Sequence, residues 1–164
     1  MSRFILRAII ILTLTITLPG IAWSATAATG DAKKEVKQAV EGFYRALNAM
    51  FTGDLGPMTK VWSHKDDVTY MGPAGGFEVG WAAVLADWER QAAMKLGGQV
   101  RPENVRITVG QVIAVVHNYE KGENVGPKGT AIPFSIRVTS LFRKEDGTWK
   151  MIGHHADKLP YLKK

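Results

Sequence analysis

The stretch Arg143-Lys144-Glu145-Asp146-Gly147-Thr148-Trp149-Lys150-Met151-Ile152-Gly153-His154-His155 decides the fold. Asp146-Gly147, set between runs of β-branched and aromatic residues, is a two-residue hairpin signal, because a type I′ turn needs φ > 0 at both central positions. With that turn, Glu145 faces Thr148 and Phe142 faces Met151. Carried onward, the same register sets Val138 against His155 and Ile136 against Asp157. One face of the pair then holds Phe134, Ile136, Val138, Phe142, Trp149, Met151, His155 and Asp157. The other holds Arg137, Thr139, Leu141, Arg143, Lys150, Ile152 and His154. The first face is the apolar one, so His155 and Asp157 are expected inside, at i and i+2 on one strand face. There they need partners, and desolvation moves their pKa values toward neutrality. His154 is expected to point the other way. A bulged loop in place of the tight turn inverts every one of these assignments.

Upstream of the hairpin, residues 105–109 and 111–119 have strand composition, as do 134–143 and 149–157 on its two arms. Gly110, a loop over 122–129 and Asp146-Gly147 separate them. In 111–119, Val112, Ala114 and Val116 lie on one face, with Ile113, Val115 and Tyr119 on the other, so both faces need cover. The first half is helical. Val36, Val40, Phe43, Leu47 and Met50 form one apolar stripe over 31–51, with Asp31 as N-cap and Gly53 as stop. A short helix follows from Asp54 to Trp62, with Pro57 in its first turn. After a strand at 68–71 and a turn at Pro73-Ala74-Gly75-Gly76, a third helix over 80–95 carries Trp81, Leu85, Trp88 and Ala92 on one face. Three helices followed by a strand meander imply an α+β fold, with helices on one side of a mainly antiparallel sheet. The uncovered side is expected to meet a second copy in a homodimer.

The 164 residues suit one domain and hold no cysteine, so disulfides, thiol nucleophiles and thiolate metal sites are excluded. Arg3 and Arg7, the apolar run 8–18, the break at Pro19-Gly20 and small residues around 22–27 form a secretory signal. Cleavage is expected after residue 24, or as late as 27, leaving 25–164 as the domain in the periplasm or secreted. The run is too short for a membrane anchor. Losing Arg3 and Arg7 lowers the net charge from +6 to +4, with 19 basic residues against 15 acidic. The remaining charge is scattered, which argues against nucleic acid as a partner.

Phe43-Tyr44-Arg45-Ala46-Leu47-Asn48, then Gly53-Asp54-Leu55, Val61-Trp62, Asp66-Asp67-Val68-Thr69 and Gly80-Trp81 follow the order of a SnoaL-like domain. Such domains belong to the nuclear transport factor 2-like superfamily. The hairpin Arg143 to His155 is similar to the end of the calcium/calmodulin-dependent kinase association domain. The resemblance implies a cone-shaped α+β barrel, in which a strongly curved sheet wraps helices around a pocket, commonly in a dimer. It does not choose among isomerases, dehydratases, cyclases and non-catalytic assembly domains.

In the ketosteroid isomerase branch, a carbonyl-polarising tyrosine falls near Tyr44, but the general-base aspartate before a proline is here Gly72 before Pro73. That activity is disfavoured. The cyclase branch places an acid/base carboxylate on a late strand, for which His155 and Asp157 are the nearest residues, with Tyr44 as a third catalytic candidate. Tyr44, Trp62, Tyr70, Trp81, Trp88, Val138, Trp149 and His155 are the expected pocket lining. His64-x-Asp66-Asp67 and His154-His155-x-Asp157 contain metal-ligand types, yet adjacent histidines on a strand point to opposite faces, and no metal is expected. No glycine loop for phosphate and no nucleophile elbow is present, so no cofactor is expected either. The expected function is binding of a small, largely apolar molecule without turnover. The alternatives are cofactor-independent acid/base catalysis of the isomerase, dehydratase or cyclase type, or an assembly module with a vestigial pocket.

Overall fold

A computed structural model describes residues 21–158, with side chains from residue 29 onward. Most of the expected export signal, residues 1–20, lies outside the described residues. Helix α1 (Ile21–Met50) carries the predicted stripe: Val36, Val40, Phe43, Leu47 and Met50 are all buried. It runs through Asp31, which is therefore not its N-cap. Gly53 ends the segment as expected, with φ of 97° and its N–H donating to Met50 O. Helix α2 (Gly56–Val61) has Pro57 in its first turn, and Asp54 accepts a hydrogen bond from Gly56 N. Strands β1 (Thr69–Met71) and β2 (Glu78–Val79) flank the Pro73–Gly76 turn. Helix α3 (Trp81–Ala93) buries Val84, Trp88 and Ala92, so Val84 takes the place expected for Leu85.

Four long strands follow among the described residues: β3 (Gln99–Val109), β4 (Ile113–Val125), β5 (Ala131–Glu145) and β6 (Thr148–Asp157). Only a single-turn 3₁₀ segment, Pro127–Gly129, remains of the loop expected over 122–129. The six strands form one sheet in the order β2-β1-β6-β5-β4-β3, antiparallel except where β1 runs parallel to β6. The sheet curls around α1 without closing, and the architecture is α+β as expected. Phe43, Met50, Trp62, Trp88, Phe142 and Met151 fill the space between helices and sheet.

The turn at Asp146-Gly147 forms with both φ positive, 47° and 79°, and the expected pairs Glu145↔Thr148 and Phe142↔Met151 are present. The register then slips. Leu141 pairs with Gly153, leaving Ile152 as an extra residue on β6, and beyond it Ser140 pairs with His154 and Thr139 with His155. This bulge reverses the faces read from the sequence. His154 is inside, 4% exposed, and His155 and Asp157 lie on the outer face. The physical cause is a change of partner along β6. Met151 bridges Trp62 and accepts a hydrogen bond from Ser63 N, whereas Gly153 to His155 pair with Thr69 to Met71 of β1. A bulge bends a strand and increases its twist, and here it falls between those two partners. Gly153 fits there because a Cβ would meet Leu141 Cδ1 at 3.1 Å and Thr69 Oγ1 at 3.3 Å.

Candidate functional site

Strand β4 alternates strictly: Ala114, Val116, Asn118 and Glu120 face inward, while His117 and Tyr119 are exposed. The inward row begins apolar against the core and ends polar, which places Asn118 and Glu120 beside the C-terminal part of α1. Tyr44 meets them there. Its hydroxyl donates to Glu120 Oε1 at 3.1 Å and accepts from Asn118 Nδ2 at 2.7 Å. From β6, His154 sets Nε2 3.6 Å from the same Glu120 oxygen, and its Nδ1 lies 3.0 Å from Ser140 Oγ. The imidazole is held between the rings of Phe43, at 4.9 Å, and Tyr70, at 5.9 Å.

Burial sets the protonation of this cluster. It pushes the Glu120 carboxyl up to about 7, against the opposing hydrogen bond from Tyr44. It drives His154 down to about 3, helped by the neighbouring His155, so the imidazole is neutral at physiological pH. Tyr44 is raised by burial and then by the Glu120 charge, and Tyr70 mainly by burial; both stay protonated.

Glu120 and His154 lie at the floor of a cavity of about 570 Å³. Tyr70, Trp88, Phe51, Phe134, Leu47, Val100 and Ile136 give it a mainly apolar wall, and the exposed Ala74, Gly75, Arg90, Met94 and Lys158 mark its mouth. At the mouth Asp87 is already engaged, by Arg90 and by Gln91 Nε2 at 2.7 Å. Tyr70 hydroxyl accepts from Gln91 Nε2 at 3.0 Å, which leaves its proton to give. Gly72 is required beside it, since a Cβ there would come within 2.6 Å of that hydroxyl. Glu120 Oε2 takes no hydrogen bond from the described residues and is not sealed from the cavity. The cavity thus offers one open carboxylate oxygen and one hydroxyl donor in an apolar setting.

The residues expected at the site divide. Tyr70 and Trp88 line the cavity, and Tyr44 supports it from behind through Glu120. Trp62 is buried core, and Trp149 is buried with its Nε1 donating to Glu35 Oε2 at 3.0 Å. Trp81 stacks on His64 at 4.3 Å. His155 and Asp157 do come together, at 2.7 Å, but as a half-exposed pair. With Val138 they line a shallow outer concavity that also holds Arg106, His117, Arg137 and Tyr119. Such a solvent-screened pair has little energetic weight. Glu120 was hidden because the expected strand stops at Tyr119; extending the alternation of Val116 and Asn118 by one step reaches it.

The sequence profile of the SnoaL-like domain matches residues 36–160. The chain belongs to the SnoaL-like domain family. Among solved structures, one described as a candidate calcium/calmodulin-dependent protein kinase type II association domain from Thiobacillus denitrificans is 27% identical. The match covers 75% of this chain and 94% of that one, with a TM-score of 0.65. A candidate dehydratase of the nuclear transport factor 2-like family from Streptomyces avermitilis is 22% identical, with coverage of 79% and 98% and a TM-score of 0.71. A nuclear transport factor 2-like protein with a cystatin-like fold from Novosphingobium aromaticivorans is 15% identical, with coverage of 86% and 93% and a TM-score of 0.69. The last two likenesses are of fold. No curated protein matches the chain. This SnoaL-like domain curls its sheet around α1 and sets polar side chains at the cavity floor.

Proposed function

We propose that this SnoaL-like domain is exported and binds a small, largely apolar molecule in the Glu120 cavity without turning it over. The observation that carries the reading is the open Glu120 Oε2 at the end of an apolar-walled cavity. Both nitrogens of His154 face protein atoms, and Tyr44 is spent on Glu120 and Asn118. The open carboxylate, with the Tyr70 hydroxyl, is suited to hold a ligand group, and His154 and Tyr44 are not free to relay a proton. Purified wild-type protein incubated with a metabolite extract is expected to release a small organic compound on denaturation, detected by mass spectrometry. Ile136→Trp, which puts an indole into the cavity, is expected to reduce that retention by about tenfold or more, at a stability cost of roughly 1–3 kcal/mol. Equal retention by the variant overturns the reading.

A second reading, acid/base turnover without a cofactor, is favoured by one observation. The carboxyl raised to about 7 shares its cavity with the Tyr70 hydroxyl, a base and a donor on one ligand. Recovery of a chemically altered compound from the same incubation, absent with Glu120→Gln, establishes turnover and removes the first reading.

The proposed homodimer uses the outer sheet face, where Ile113 is 37% and Tyr119 41% exposed. Sedimentation is expected to give a dimer, and Tyr119→Asp a monomer with an unchanged circular dichroism spectrum. A monomeric wild type rules the dimer out.

A further inference from the structure

Resting on the reading that this cavity binds a small molecule, we infer that its ligand carries a protonated amine, with Glu120 Oε2 as the counter-ion. The rest of the molecule fills the aromatic-lined space toward the mouth. The cavity floor holds no cation among the described residues. A carboxylate that is 4% exposed is costly unless it is both hydrogen-bonded and neutralised. Tyr44 supplies one neutral hydrogen bond, to Oε1 only. His154 stands nearest, but it is buried and neutral, so it brings no charge. Arg90 is at the mouth, joined to Asp87 and 3.9 Å from Glu78, and Lys158 is exposed there. No cation among the described residues reaches Glu120.

Each ligand class meets this floor differently. A ligand carboxylate adds a second buried negative charge. An alcohol donates to Oε2 but leaves the charge of the ionised form uncompensated. An ammonium does both, through a charge-assisted hydrogen bond, and it is favoured among aromatic rings such as Tyr70, Trp88 and Phe134. Binding also moves a proton. Burial holds the carboxyl up at about 7, and an ammonium beside Oε2 stabilises the ionised form. Protons are therefore released near neutral pH as the amine binds. The groups facing Glu120 do not obscure this: Tyr44 on α1 and Tyr70 on β1 stay protonated, His154 on β6 stays neutral, and Asp87 and Arg90 on α3 are paired.

The test is calorimetry on the full mature chain with naphthalene, decalin and adamantane bodies, each carried as aminomethyl, hydroxymethyl and carboxylate. The amine of whichever bodies fit is expected to bind about tenfold or more tightly than its alcohol at pH 7.5, with the carboxylate weakest. Its affinity is expected to fall about tenfold per unit as pH drops below 7. In buffers of different ionisation enthalpy, the amine releases protons and the alcohol does not, a measurement that needs no variant. Glu120→Gln is expected to erase the preference while the alcohol still binds. Binding of the alcohol or carboxylate as tight as that of the amine overturns the amine assignment and leaves the pocket standing. No binding by any body in any form overturns the pocket reading, and the amine assignment with it.

Discussion

Glu120→Gln is expected to make stability rise with pH, relative to wild type, by about 1 kcal/mol per unit between pH 4.5 and 6.5. The sign follows from the two buried groups. The Glu120 carboxyl is raised from 4.5 to about 7, so the folded state keeps a proton that the unfolded state gives up. Its contribution is fully present below pH 4.5 and is lost as pH rises through 7. His154 is lowered from 6.5 to about 3, so the unfolded state takes a proton that the folded state refuses. Its contribution is present above pH 6.5 and is lost as pH falls toward 3. Around pH 5.5 the two slopes oppose each other, and the wild-type pair contributes a nearly flat profile. The amide of the Glu120→Gln variant still accepts the Tyr44 hydroxyl but cannot titrate, which exposes the histidine slope alone.

Urea denaturation at pH 4.5, 5.5 and 6.5 measures this directly. Over the two units the variant should gain roughly 2 kcal/mol on wild type. His154→Gln should show the reverse slope, losing stability as pH rises over the same window. Surface carboxylates held below their usual range, such as Glu35 beside Lys144 and Asp67 beside Arg143, titrate alike in all three proteins and cancel in the difference. Parallel profiles for wild type and both variants would sink the assignment of opposed buried protons.

Gly98→Ala is expected to destabilise the fold by about 3 kcal/mol or more, lowering the melting temperature by roughly 10 °C. Gly98 has φ of 75°, and a Cβ on it would sit 2.0 Å from the carbonyl oxygen of Glu123 and 3.1 Å from Asn124 Cα. Those neighbours are backbone in the ladder where Gln99 pairs with Glu123, so relief requires moving a strand. The left-handed conformation costs a further 1–2 kcal/mol or so for any residue with a Cβ. Gly30→Ala is the contrast. Gly30 lies within α1, nothing stands within 4 Å of its Cβ, and the change should stabilise by roughly 0.5–1 kcal/mol. A Gly98→Ala protein melting within about 0.5 kcal/mol of wild type contradicts the close approach.

Periodicity made most of the architecture legible. The stripe from Val36 to Met50, the strand composition from residue 105 onward and the Asp146-Gly147 turn each depend on neighbours close in sequence, and each forms as expected. The candidate site was less legible because it depends on distant neighbours. Nothing around Ile152 signals an extra residue: the slip arises from pairing with Trp62 and with β1, which lie far earlier in the chain. That one event moved His155 and Asp157 out of the interior and brought His154 in. Glu120 was missed for a different reason. A charged residue at the end of an apolar alternation reads as the end of the strand, and only the fold shows β4 continuing past it to Val125.

The extra residue at Ile152 has a consequence for how this domain tolerates changes in chain length. Loss of that one codon would join Met151 directly to Gly153, which already stands opposite Leu141. Beyond the join every pair would be kept, with His154 still facing the cavity and His155 and Asp157 still outside. Only the local bend would go, and with it some of the twist that carries the strand from Trp62 to β1. Loss of one residue between His154 and the end of the strand has no such cushion and would turn the residues after it to the opposite side. The same single-codon event is thus conservative at one point of the strand and transforming a few residues later.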